Sequence, residues 1–334
     1  MHSRSIVSNF VIFSNLSFIK ENRRLFSILT GPYAALVVLL TICCISSEPF
    51  RDVTNLLNII RQVSFSGIIA LGMTFVIIGG GIDLAVGSLM ALSGVFAIMT
   101  MNMIPGNEVL AIIAGIGAAL ATGLVGGSLN GLMISLGKIP PFIVTLGTLS
   151  IFRSLALYFA DAGLVSSKIG LFAKVGSLAI CGIPLPVVSL FVLTILFAIL
   201  LTKTSYGRYV CALGSSEQVS KFAGINTAMV KFSTYVIASI CSSISAILFA
   251  SRLNGVSSTS AGTAYELDAI AAVIIGGTAM SGGKGSIWGT LAGIFILGIV
   301  SNILDMWGVS VNLQGAVKGL VIIIAVLIQK KERN

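Results

Sequence analysis

The sequence predicts an all-α, polytopic membrane protein, and three observations carry that prediction. Of 334 residues 56% are hydrophobic, only 9% are charged, and the mean hydropathy is +1.06. A soluble domain keeps about a quarter of its residues charged to wet its surface. At about 20 residues per bilayer crossing, a chain this long and apolar has room for about ten transmembrane helices. With 37 glycines against 2 tryptophans and 6 tyrosines, the apolar runs suit closely packed helices rather than a barrel with aromatic girdles.

Taken in order, residues 1–32 contain Arg4, Lys20, Glu21, Arg23 and Arg24, while Ser and Asn interrupt their apolar residues Ile6, Phe10, Phe13 and Ile19. Such a segment lies in the cytoplasm or along the membrane surface, and no small-residue cleavage site marks it as a removable leader. One transmembrane domain then occupies 33–328, with a tail at 329–334. Apolar runs bounded by charge, Pro or Gly place its spans at 33–47, 64–81, 84–101, 109–134, 141–159, 186–202, 232–250, 267–280, 287–304 and 312–328. The pairs flanking Gly79 to Asp83 and Ser281 to Gly285 could each be one broken or re-entrant element, because glycine runs interrupt helices.

Charge fixes the orientation. With the N-terminus inside, Arg4, Lys20, Arg23, Arg24, Lys138, Lys203, Arg208, Lys221, Lys231, Lys284, Lys330, Lys331 and Arg333 are cytoplasmic. Only Arg51, Arg61, Lys168, Lys174 and Arg252 fall outside, so both termini are expected in the cytoplasm. The same rule accounts for the net charge of +9 without a nucleic-acid partner. The cysteines, Cys43, Cys44, Cys181, Cys211 and Cys241, form no CxxC pair, and His2 is the single histidine. No metal site, cofactor or His-based catalytic pair is expected.

Gly123, Gly127 and Gly131 recur every four residues, as do Gly289 and Gly293, which suits helix packing within one subunit. Val76-Ile77-Ile78-Gly79-Gly80 is echoed by Val273-Ile274-Ile275-Gly276-Gly277, an echo too short and too apolar to establish a duplication. A phosphate loop is missing: near Lys284, position 278 is Thr where the first Gly belongs, and Gly285 stands where a hydroxyl should hold magnesium. The likeness of Met280-Ser281-Gly282-Gly283-Lys284 to an ATPase signature is therefore coincidental. Any uphill movement must draw on an ion gradient or on another chain.

The stretch 203–231 is polar and patterned. It opens with a Gly-containing turn at Gly207, continues as a capped short helix over Ser215 to Ala223, and stops at Gly224. With Val219, Phe222 and Ala223 along one side, it could dock into a partner's groove or be a plain solvated loop. Ionisable residues at membrane depth are costly, and Asp83, Arg153, Glu266, Asp268, Asp305 and Lys318 are the candidates. Asn130, Thr145, Thr148, Ser150 and Asn302 could line a path for a neutral solute.

Five blocks together resemble the permease family of ribose-type, ATP-driven monosaccharide importers. They are Gly80 to Ser88, Leu129-Asn130-Gly131, Ile139 to Thr148, Thr204 to Asn226, and Ala261 to Gly277, in the family's order. Ala85 departs from the Ser common there. The resemblance implies a bacterial inner-membrane permease subunit, without enzymatic activity, for a ribose-like pentose or a hexose such as allose. It implies pairing with a second permease copy or a paralogous permease, a cytoplasmic ATP-binding subunit, and a periplasmic sugar-binding protein. On that reading Arg208, Glu217, Lys221, Phe222, Ala223, Gly224 and Ile225 couple to the ATPase, and Asp83, Asn130, Thr145, Thr148, Glu266 and Asp268 form the path or its gate. The alternative is a self-sufficient, ion-coupled sugar carrier.

Overall fold

The computed structural model describes residues 31–310, 313–320 and 323. The expected N-terminal segment, except for its last two residues, and the tail at 329–334 lie outside the described residues, as does part of the span expected at 312–328.

The first helix, α1 (Pro32–Ser46), starts at a proline, whose fixed φ suits a first helical turn. A short 3-10 turn, Pro49–Arg51, leads to α2 (Val53–Ile78), where an Asp52 carboxylate oxygen accepts the Thr54 amide at 2.9 Å. Sequence reading begins this span at 64, because Asn55, Asn58, Arg61 and Gln62 interrupt the apolar run. The helix extends eleven residues earlier, and Asn55 meets Asn302 through hydrogen bonds of 3.2 and 2.9 Å. Helices α3 (Val86–Asn102), α4 (Glu108–Ser135) and α5 (Pro141–Phe159) follow. The Asn107 side chain caps α4 by accepting the Leu110 amide.

Strand β1 (Leu164–Ser166), the short helix α6 (Gly170–Ser177) and a hairpin of β2 (Ala179–Ile180) with β3 (Ile183–Pro184) gather at one end of the bundle. The hairpin turns through Cys181 and Gly182, both at positive φ, as a two-residue turn requires. Helix α7 (Leu185–Lys203) returns to the opposite end, where α8 (Ser205–Ser215) and α9 (Glu217–Phe222) sit. The expected turn at Gly207 is instead part of α8. Gly207 is buried so tightly against the backbone of Leu201 that a Cβ would collide, and the chain can reverse and re-enter a helix at once.

Helix α10 (Thr227–Leu253) runs the full length of the bundle, capped by Asn226 and stopped by Asn254 in the left-handed conformation. Strand β4 (Gly255–Ser257) pairs antiparallel with β1, and then come α11 (Tyr265–Ile275), α12 (Ile287–Met306) and a helical stretch at 313–320.

Among the described residues six helices are long and apolar enough to cross a membrane: α2, α4, α5, α7, α10 and α12. The runs at α1 and α3 are shorter, and α11 has only 11 residues, about 16 Å of rise. The span expected at 267–280 therefore ends early, at Gly276, leaving Gly277 to Gly285 as a non-helical turn. The two doubtful pairs are thus broken elements in which a full helix is joined to a short one.

Helix α10 forms the bundle's axis against α2, α3 and α4. Gly123 and Gly127 let α4 approach Ser239 and Ser243 of α10, and Gly131 does so at Phe232. Gly289 and Gly293 face the backbone of α11 at Gly276 and Ala272, so these glycines pack helices within one subunit, as expected. Hydroxyl pairs such as Thr74 with Thr290 (2.8 Å) and Ser93 with Ser243 (3.0 Å) tie the helices internally. Large apolar side chains on α4, α5 and α7, including Val125, Ile143 and Val192, are exposed on the outside of the bundle, as suits helices in a bilayer.

Candidate functional site

At the end of the bundle opposite the sheets, Ser216 caps α9 by accepting the Val219 amide, and Glu217 in the first turn bridges Lys221 at 2.8 Å and Lys231 at 2.7 Å. The ammonium groups of Lys221 and then Lys231 hydrogen-bond the Glu217 carboxylate and hold it below the usual carboxylate range. That bridge pins α9 to the start of α10. It leaves Phe222 92% exposed and Val219 65% exposed, side chains that meet almost nothing in this chain. Ala223 closes the helix and Gly224 takes φ +77, a left-handed stop that suits glycine. Ile225 turns inward against the core beneath α8, and Arg208, exposed on α8, donates to Ser205 Oγ at 2.8 Å. Beside α9 a groove of 720 Å³ is lined by Lys138, Pro140, Pro141, Glu217, Lys221 and Lys231. All seven residues read as a coupling element thus share one end of the bundle, six of them in the single stretch 217–225.

Helix α8 ends against both broken elements. The Gly283 amide donates to the Ile78 carbonyl at 2.8 Å, and a Cβ on Gly214 would collide with that same carbonyl. Three backbones therefore meet without a side chain between them: the end of α2, the end of α8 and the turn after α11. The two breaks also close alike. Gly81 N donates to Val76 O and Gly80 N to Ile77 O, while Thr278 N donates to Val273 O and Gly277 N to Ile274 O. Gly80 and Gly277 adopt φ +84 and +85, so each helix ends in the same Schellman closure. The short sequence echo is therefore a repeated helix stop.

The residues read as a path divide among different places. Asp83 is buried in the turn between α2 and α3, its Oδ1 accepting the Ala85 amide at 2.9 Å, and Asn130 of α4 lies beside it. Tyr235 of α10 is buried close to Asp83, with its hydroxyl against Gly81. Thr145 and Thr148 are buried and return their hydroxyl protons to carbonyls one turn back in α5, at 2.9 and 3.1 Å. Asp268 pairs with Lys318 at 3.0 Å, facing a second cavity with Gln62 and Gln314. Glu266, two residues earlier on α11, faces the other way, towards Arg153 and Ser88.

Sequence reading left Arg153 outside its path residues, and it had no signal for Tyr235 or Gly214, whose importance is a matter of close approach. Gly87, in the first turn of α3, and Gly262, in the small-residue run before α11, could have been found, since both fall in blocks that carry the family resemblance. The structure presses their backbones together so that the starts of α3 and α11 abut, and a Cβ on either would strike the other's carbonyl.

Comparison with known proteins gives the arrangement its context. Residues 55–326 match the family described as branched-chain amino acid transport system / permease component. The ribose import permease protein RbsC of Bacillus subtilis is 42% identical over 306 residues, 90% of this chain and 92% of that protein. The L-arabinose transport system permease protein AraH of Escherichia coli is 34% identical, covering 91% of each chain. The D-allose transport system permease protein AlsC of Escherichia coli is 32% identical over 90% of this chain and 91% of that protein. No solved structure gives a significant match. A helical bundle of long apolar spans is consistent with these relatives, and this chain belongs to that permease family, in its ribose-type branch.

Proposed function

We propose that this chain is the membrane-spanning subunit of an ATP-driven monosaccharide importer in a bacterial inner membrane. The ribose, L-arabinose and D-allose permeases to which it is similar support a sugar as its solute, a pentose or a hexose. In this reading the transmembrane domain covers 33–328 and crosses about ten times. Both termini and the 203–231 segment lie in the cytoplasm, as the distribution of Lys and Arg supports.

The observation that carries the reading is Phe222, a large apolar side chain 92% exposed on a capped, ion-paired helix. An ATP-binding subunit docks there, with Arg208, Glu217, Lys221, Ala223, Gly224 and Ile225 shaping the contact and the neighbouring groove receiving part of the partner. The sugar-binding protein meets the sheet end, and a second permease copy or a paralogous permease completes the path. Closing of the ATPases moves α8, and the junction at Gly214 passes that movement to both helix breaks. Asp83, Asn130, Thr145, Thr148, Glu266 and Asp268 shape or gate the path, and each end state is favoured by a different partner.

Proteoliposomes test this. Sugar uptake is expected only when the ATP-binding chain and ATP are present, and uptake by this chain alone on a proton or sodium gradient would replace the importer with the carrier. Replacing Glu217 by Ala together with Gly224 by Pro is expected to uncouple ATP hydrolysis from uptake while membrane insertion persists.

A further inference from the structure

A cavity of 410 Å³ opens where the starts of α3 and α11 abut. Its walls are Ser88 from α3, Leu149 and Arg153 from α5, Thr259 and Thr263 from the turn before α11, and Glu266 from the first turn of α11. We propose that this cavity is a contact site for the sugar within the membrane, with Glu266, Arg153, Ser88 and Thr263 as its hydrogen-bonding groups. The inference rests on the importer reading above and adds to it the atoms the solute would touch.

The volume lies at the small end of ligand sites, about 300–1,000 Å³, and fits a molecule of monosaccharide size. Its chemistry fits as well. Arg153 spends one guanidinium nitrogen on the Ser258 carbonyl at 2.8 Å, which fixes its direction and leaves other donors available. Glu266 attracts Arg153 electrostatically, yet the two do not close into an ion pair within 4.0 Å. Ser88 and Thr263 give their hydroxyl protons to the Ala85 and Thr259 carbonyls and keep lone pairs to accept. With an acceptor-only carboxylate and a donor-only guanidinium held apart beside them, they suit a neutral polyol, whose hydroxyls both donate and accept. No aromatic ring lines the cavity among the described residues, so no stacking platform holds the sugar tightly. Weak holding suits a station that must release what it receives.

Two further features aim at the same place. Helices α3 and α11 are the short members of the two broken elements, and both begin at this cavity, where the partial positive charge of a helix start favours a solute's acceptor oxygens. Ala264 is held at φ +64, a left-handed conformation that a side chain disfavours, as it turns the chain into α11.

The test uses cells lacking this chain but retaining the rest of their transport system, complemented with wild type, Glu266→Gln, Thr263→Val or Leu149→Trp. Uptake of labelled D-ribose, L-arabinose and D-allose is measured, together with the 2-deoxy analogue of whichever sugar wild type imports. Glu266→Gln is expected to lower uptake about tenfold, as expected for loss of a charged hydrogen-bond acceptor. Thr263→Val should shrink the preference for the intact sugar over its deoxy analogue, which a merely structural defect would leave unchanged. Leu149→Trp, by filling the space, should abolish uptake at normal protein level in the membrane. Should Glu266→Gln fail to accumulate, the other two variants decide. Thr263→Val and Leu149→Trp with wild-type uptake and wild-type preference would overturn the cavity assignment while leaving the importer intact. A wild-type chain that restored uptake of none of the three sugars would overturn a ribose-, arabinose- or allose-like solute, and with it the solute on which this inference rests.

Discussion

Replacing Phe222 by alanine separates docking from folding, because the ring is 92% exposed and its loss removes almost no contact within the chain. Its position in the last turn of α9 also leaves the Ser216 cap and the Glu217 bridges untouched. If the ring enters a groove of the ATP-binding subunit, its burial contributes about 1.5–3 kcal/mol. That corresponds to about ten- to a hundredfold in affinity, the range of an aromatic anchor at the centre of an interface. The assay is titration of the ATP-binding chain onto the purified permease in nanodiscs, with a thermal melt of the permease alone as control. The expected result is an unchanged melting temperature, a Kd raised by that factor, and a proportional loss of uptake at limiting ATP-binding chain. An unchanged Kd with an unchanged melt would refute the assignment of α9 as the docking helix.

Other expectations follow from named contacts. Glu217→Gln removes the anchor between α9 and α10, so amide protection at Val219 and Ser220 should fall in hydrogen exchange while the spans stay protected. The same bridge sets a pH dependence: since the folded carboxyl titrates below its unfolded value of about 4.3, its contribution is complete above that pH. It is lost as pH falls through the lower folded value, and protection of α9 should follow it. Gly214→Ala places a methyl group on the Ile78 carbonyl, and overpacking of this kind costs about 1–3 kcal/mol. A lowered melting temperature together with ATP hydrolysis no longer matched to uptake is expected; normal coupling would remove the junction from transmission. Gly127→Val forces α4 away from Ser239 and should destabilise by a similar about 1–3 kcal/mol, read in the thermal melt, with no selective effect on coupling.

Much of this molecule is written in local terms. Composition fixes the bilayer as solvent, because too few charges exist to cover a water-facing surface. Pro32, Pro141, Asp52, Asn107, Ser216 and Asn226 mark helix starts, because the first amides of a helix need acceptors or a residue without a donor. The short helix ending at Gly224 was legible from its cap and stop, and the repeat of Val-Ile-Ile-Gly-Gly carried the two helix ends. The polar first turns of α2 misled for the opposite reason: Asn55 looks like a loop residue until Asn302, 247 positions later, supplies its partner.

The sequence alone determined the membrane class, the helical content and the polar, capped segment at 203–231, since each depends on which residues are present or adjacent. Tertiary structure decided that Glu266 faces Arg153 while Asp268 faces Lys318, and that Gly214, Ile78 and Gly283 share one point. Those choices rest on helix rotation and on backbone approach between segments far apart in the chain, and neither quantity has a local signature, because glycine reads the same whether it faces lipid or another backbone.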